Sequence, residues 1–329
     1  MRPVDNPRQS TGERPPQMTA EELLELREVV VELFGGVRIR RRIVHPQISS
    51  AALWELELNR SDGSSLWVML KDLGTKALWR DARWVKPAFL RDPIREIDAY
   101  RHVLEHQPVH TARFHGAHID PARDRYWLFL ERLNAVPLWQ VGSWSRWDDA
   151  ALWLASLHDI APPPAESPIV RYDVGFYEQW FERAASRFRG RLDELEPAYR
   201  AAMRLLAAGP PSLIHGEYYP SNILVRAHEQ ESICPIDFEL FGVGSAALDL
   251  AALVTGLPER VARRVVSTYL RARSVPPDPA RLDLLLLCAR FHLAIRWLGW
   301  SSDWTPPRQH ATDWAREARR AANALEAVA

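Results

Sequence analysis

The 329-residue chain has little cysteine, little lysine and no long apolar run. Its two cysteines, Cys234 and Cys288, are too few for a disulfide scaffold or a cysteine-based zinc site, and they read as buried thiols. No stretch approaches the ~20 apolar residues of a membrane span, and the run at Leu284 to Leu287 is far shorter. Met1 to Met18 is polar and proline-rich and lacks an apolar signal core. We read it as a disordered tail and expect a cytoplasmic protein. Charge of one sign is also missing: 42 acidic residues balance 42 basic ones. Nucleic acid and membrane surfaces are therefore not expected partners. Of those 42 basic residues only three are lysines, Lys71, Lys76 and Lys86. A lysine kept in so arginine-rich a chain is a candidate for a place where a compact ammonium is needed and a guanidinium will not serve.

What is present has the balance of a soluble globular protein: 47% hydrophobic and 26% charged residues, enough chain for two lobes. Thr19 and Glu22 have capping-box spacing ahead of an apolar-periodic helix ending at Gly35-Gly36. Strand-like runs follow at Val37 to Val44, Ala51 to Leu58 and Ser65 to Leu70, the last two separated by Arg60-Ser61-Asp62-Gly63. A helix is expected over Pro93 to His106, then a strand pair at Arg113 to His118 and Tyr126 to Leu130. After Glu131 helical periodicity dominates: 150–158, 176–188, 196–207, 260–271, 281–300 and 312–328, with extended runs only at Ser212 to Val225 and Ser232 to Phe238. The fold class is α+β. A small antiparallel β lobe (19–131) precedes a mainly helical lobe (132–329), after the tail 1–18.

The densest chemical signal is Leu213-Ile214-His215-Gly216-Glu217-Tyr218-Tyr219-Pro220-Ser221-Asn222-Ile223-Leu224-Val225. An apolar strand enters a polar turn that holds a His, an acid and, five residues after the acid, an Asn. Fifteen residues past Asn222 comes Asp237, in Pro235-Ile236-Asp237-Phe238-Glu239. Phosphoryl transfer asks for this set. Charge on the phosphates must be neutralised by Mg²⁺, which takes hard oxygen ligands from few protein groups. Asn222 offers an amide oxygen, and Asp237 and Glu239 offer carboxylates. A further carboxylate, Glu217, is placed to orient an acceptor hydroxyl and take its proton.

The pattern resembles the aminoglycoside phosphotransferase and choline kinase group of kinase-like enzymes. Their loop reads His-Gly-Asp, four residues, Asn, and is followed by an Ile-Asp-Phe or Ile-Asp-Trp strand. The resemblance implies a two-lobed protein-kinase-like fold that moves the γ-phosphate of ATP or GTP, with Mg²⁺, to a hydroxyl of a small molecule. It implies that Lys71, ending Leu66-Trp67-Val68-Met69-Leu70-Lys71, reaches the nucleotide phosphates, and that Glu96 (or Asp98) holds it from behind. Leu128 to Leu133 resembles the hinge whose backbone bonds the base, which marks Glu131 and Leu133 as nucleotide contacts. Asp249 in Ala246 to Ala251 corresponds to an acid that orders the catalytic loop, and His158 is read as structural.

The chain departs from the family pattern twice. Position 217 is Glu where the family usually has Asp, which alters reach far more than basicity. A catalytically impaired nucleotide-binding module is therefore the alternative reading. The expected phosphate-covering turn, His45 to Ser50, has no glycine. Ser49 and Ser50 either bond phosphate through their hydroxyls or form a simple hairpin tip. Acceptor-lining candidates are Trp297, Trp300, Asp303 and Trp304; with 14 tryptophans, the alternative for each is core packing. No dense acidic cluster suited to a polycationic acceptor lies there. A protein acceptor is disfavoured, because no Ala-Pro-Glu segment or long activation loop follows Asp237.

Overall fold

The structure, a computed structural model, describes residues 17–45, 52–78, 86–226, 233–301 and 312–328, with side chains except at Ser301. It divides into two compact units that are not contiguous in sequence. The first takes the described residues up to Arg101 and Ala112–Leu133; the second takes His102–Thr111 and the described residues from Asn134 onward.

The first unit is built on a five-stranded antiparallel sheet, β1 (Arg38–Val44), β2 (Ala52–Asn59), β3 (Ser65–Asp72), β4 (Phe114–Asp120) and β5 (Arg125–Glu131), in the order β1-β2-β3-β5-β4. Arginines crowd the exposed edge strand β1, where charge discourages edge-to-edge pairing. Helix α1 (Ala20–Phe34) carries the capping box: the Thr19 amide donates to Glu22 Oε2 at 2.6 Å and the Glu22 amide to Thr19 Oγ1 at 3.2 Å. Its buried stripe, Leu26, Val29 and Val30, joins Trp54, Leu56, Val68, Leu70, Trp127 and Phe129 in one apolar core. Met18, assigned to the tail from sequence, is buried in that core; residues 1–16 of the tail lie outside the described residues.

The expected helix over 93–106 forms only in part. An α-turn, α2 (Arg95–Asp98), passes into a π-turn over Ala99–Val103 and a 3-10 turn over Leu104–His106. Glu96, Ile97, Tyr100, Val103 and Leu104 are buried along this segment, at the spacing of one helical face.

The second unit holds α3 (Ser145–His158), α4 (Val174–Arg187), α5 (Glu196–Ala207), α6 (Ala247–Val254), α7 (Glu259–Ala272), α8 (Pro279–Ser301) and α9 (Trp314–Glu326). Among the described residues its short strands are β6 (Ala135–Pro137), β7 (Val170–Arg171), β8 (Pro211–Ile214), β9 (Ile223–Arg226), β10 (Ile233–Pro235) and β11 (Gly242–Ser245). They form two three-stranded sheets, β10-β9-β6 and β7-β11-β8. Helix α8 packs against α4, α5, α6 and α9, and its buried Leu282, Phe291, Ile295 and Leu298 show why it is apolar on more than one face. No described helix is long and apolar enough to cross a membrane. Both cysteines are buried, and neither is in a disulfide.

The run Ser212 to Val225 is two strands with the polar motif loop between them. β8 pairs with β11, and β9 pairs with β6 and β10, so the loop starts in one sheet and ends in the other. The run Ser232 to Phe238 is likewise shorter, because β10 ends at Pro235 and Asp237 turns left-handed (φ 69°).

Candidate active site

In the first unit, Lys71 near the end of β3 and Glu96 on α2 are brought together, Nζ to Oε2 at 2.6 Å. Both are buried, with 6% and 2% exposure. A charge this deep needs a counter-charge, and breaking such a pair from one side costs about 3–5 kcal/mol. Glu131 closes β5; its amide donates to the Arg113 carbonyl at 2.8 Å, and its carboxylate accepts from the Arg113 amide at 3.2 Å. Leu133 is half-buried two residues on. Ser49 and Ser50 lie outside the described residues.

In the second unit, the loop leaving β8 is held by Asp249 from the first turn of α6. Asp249 is fully buried and accepts from the amides of His215 (2.6 Å) and Gly216 (2.8 Å). The buried His158 ring stands 3.4 Å from Asp249 and 2.9 Å from the Tyr269 hydroxyl. Gly216 turns the chain at φ +80°, where a Cβ would lie 2.1 Å from the Tyr172 hydroxyl and 2.4 Å from the Leu240 carbonyl. The His215 ring bridges the two motif halves. Its Nδ1 lies 3.3 Å from the Glu217 amide and its Nε2 lies 3.0 Å from the Ile236 carbonyl, so Nδ1 accepts and Nε2–H donates. Burial lowers its pKa, which keeps that neutral form.

Glu217 follows. The Asn222 side chain folds back and donates Nδ2–H to the Glu217 carbonyl at 3.1 Å, which fixes the direction of its amide oxygen. The Asn222 carbonyl accepts from the Ile236 amide at 2.9 Å, tying the loop to the chain one residue before Asp237. Asp is one of few side chains that tolerate the left-handed backbone found there, and such strain is concentrated at functional sites. Glu239 is half-buried on the next 3-10 turn, Phe238–Leu240. Among the described residues no three His, Cys, Asp or Glu side chains form a metal-holding group. A cation here would rest on the Asn222 amide oxygen with Asp237 and Glu239, a hard oxygen set of the size Mg²⁺ takes from protein while keeping water and phosphate ligands.

Several residues of this site were not singled out from sequence. Arg296 of α8, 3% exposed, donates Nη1–H to the Gly216 carbonyl at 2.7 Å and Nη2–H to Glu217 Oε1. Its guanidinium lies over the rings of Trp180 (5.8 Å) and Tyr219 (5.6 Å). Burial works to lower the pKa of Arg296, but Tyr219 and Glu217 outweigh it and hold the group above its usual value. Burial also pushes the Tyr219 phenol up to about 12, so it stays protonated at neutral pH. Trp297 packs against Tyr219 (5.6 Å) and stacks on Trp314 (5.5 Å), while Trp300 meets Trp180 (5.7 Å). These two candidate lining residues thus border the same aromatic group as Arg296. Asp303 and Trp304 lie outside the described residues. The available signal for Arg296 was a lone charge inside the apolar run Phe291 to Leu298.

The sequence profile of the phosphotransferase enzyme family matches residues 69–285. The chain belongs to this family. No curated protein matches it by sequence. Solved phosphotransferases match it by fold. Macrolide 2'-phosphotransferase MphH from Brachybacterium faecium is 18% identical with a TM-score of 0.55, the match covering 92% of this chain and 97% of that one. Choline kinase LicA from Streptococcus pneumoniae is 13% identical with a TM-score of 0.56, covering 94% and 100%. The GDP and kanamycin complex of APH(2")-IIia is 13% identical with a TM-score of 0.57, covering 93% and 99%. The fold is that of the kinase-like phosphotransferases, with a small antiparallel β lobe and a mainly helical lobe.

Proposed function

We propose that this phosphotransferase moves the γ-phosphate of ATP or GTP, with Mg²⁺, onto a hydroxyl of a small molecule. The observation that carries the reading is the Asn222 tether: side chain to the Glu217 carbonyl, backbone to Ile236. It joins an acceptor-side acid, a metal-side amide oxygen and Asp237 in one hydrogen-bonded loop. The solved relatives lend it support, since LicA has been seen with AMP and APH(2")-IIia with GDP and kanamycin.

In this reading Lys71, held by Glu96, binds the nucleotide phosphates as a compact charge. Asn222, Asp237 and Glu239 would hold Mg²⁺, which supplies neutralisation of the charge developing on the phosphates. Glu131 and Leu133 would contact the base through their backbones. Glu217 orients the acceptor hydroxyl and receives its proton. The acceptor oxygen bonds to the γ-phosphorus as the bond to the β–γ bridging oxygen breaks, giving a phosphomonoester and the nucleoside diphosphate. Trp297, with Tyr219 beside it, and Trp300 would offer aromatic faces to the acceptor.

The test is nucleotide turnover with Mg²⁺ across a panel of hydroxyl compounds. Acceptor-dependent transfer is expected, and Asp237→Ala should lower it about 10²–10⁴-fold, the worth of several kcal/mol of charge stabilisation. Tight nucleotide binding with transfer no faster than in Asp237→Ala would overturn the reading.

A further inference from the structure

We propose that Arg296 is a positioning residue that sets where the Glu217 carboxylate stands; this rests on the reading of Glu217 as the acceptor-side acid. A Glu at this position has one more methylene and one more free torsion than the Asp usual in the family. Left to itself, that side chain would spread its carboxylate over several places, and a misplacement of about 1 Å costs ~10²-fold in rate. The structure contains a device that removes this freedom.

The guanidinium of Arg296 grips one loop at two points, the Gly216 carbonyl and the Glu217 carboxylate. A planar fork can do this with fixed geometry, whereas an ammonium presents a single head. The fork is itself immobile, being 3% exposed and flanked by the ring faces of Trp180 and Tyr219. It projects from the long helix α8, so its origin lies outside the loop it grips. Asp249 holds the other end of the same turn through the amides of His215 and Gly216. The turn is thus fastened by an anion on its N–H groups and by a cation on its carbonyl and carboxylate. The length of Glu217 and the presence of Arg296 form a matched pair: the longer acid reaches back to a buried cation that fixes it.

The experiment is a double-mutant cycle on the full chain, Arg296→Met with and without Glu217→Ala. It is read as phosphate release from Mg²⁺–ATP and Mg²⁺–GTP to water, and as transfer to any acceptor the panel yields. Arg296→Met is expected to lower kcat about 10²-fold with little change in the nucleotide KM. In the Glu217→Ala background it should cost almost nothing more, and Arg296→Lys, which keeps the charge without the fork, should recover part of the rate. A loss of equal size in both backgrounds would assign Arg296 to general stability and overturn the proposal, leaving the phosphotransferase reading in place. Amide hydrogen exchange over residues 213–222 serves as a second measurement that needs no turnover. Arg296→Met should speed exchange in that segment and leave α1 unchanged; unchanged exchange at 213–222 would overturn the clamp whether or not phosphate moves.

Discussion

Gly216 shows how one missing methyl group shapes the candidate site. Its left-handed φ and the hydroxyl of Tyr172, which donates to the Leu240 carbonyl at 2.7 Å, leave no room for a Cβ. In Gly216→Ala the strained backbone costs about 1–3 kcal/mol, and the overpacking against Tyr172 and Leu240 costs a further ~1–3 kcal/mol. The midpoint of urea unfolding should drop accordingly; a change under about 0.5 kcal/mol, the size of an ordinary surface substitution, would contradict the packing described. At this scale much was legible. The spacing of His215, Glu217, Asn222 and Asp237 was in the sequence, because covalent distance along a loop is a sequence property. Arg296 was not: it lies 79 residues after Glu217, and only the fold of α8 brings them together.

Among the elements, the junction of α1, β3 and β5 carries a titratable group of its own. Asp72, near the end of β3, is buried beside Trp127 and accepts from the Gly74 amide at 3.0 Å, with Arg125 and Glu22 facing it. Burial raises its pKa from 3.8 to about 6, with Glu22 adding to the rise and the Gly74, Trp127 and Arg125 interactions opposing it. The folded state therefore keeps this proton after the unfolded chain has released it. The contribution of Asp72 to stability is greatest below about pH 4 and falls as pH rises to about 6, by roughly 3 kcal/mol for two pKa units. Asp72→Asn removes that dependence. Measured by denaturant unfolding, its stability relative to wild type should climb between about pH 4 and 6 and level off above; a difference constant with pH would sink the assignment. The elements show the same split in legibility. α1 was readable with its cap, since Thr19 and Glu22 are local partners. β11, Gly242–Ser245, was missed because its glycines and serine lack β-branched character, and it is a strand only through pairing with β7 and β8.

For the whole molecule, the two units share the chain unevenly. The first sheet is completed only by β4 and β5, which follow the excursion of His102–Thr111 into the second unit. A fragment ending at Arg101 loses the β5 partner of β3 and the buried Trp127 and Phe129 of the apolar core. It should show no cooperative thermal transition, whereas residues 17–133, which retain all five strands, should show one by circular dichroism. Cooperative melting of the shorter fragment would mean that the core is not shared as described.

By itself the sequence determined the order and types of most elements and the α+β class, which follow from periodicity along the chain, and the resemblance of the motifs at 213–225 and 235–239 pointed to the family. Tertiary structure alone decided that the motif loop runs from one small sheet to another. It also decided that the Glu at 217 meets a buried arginine. The reason in each case is that burial and long-range pairing act between residues far apart in sequence, where no local pattern records who the neighbour will be.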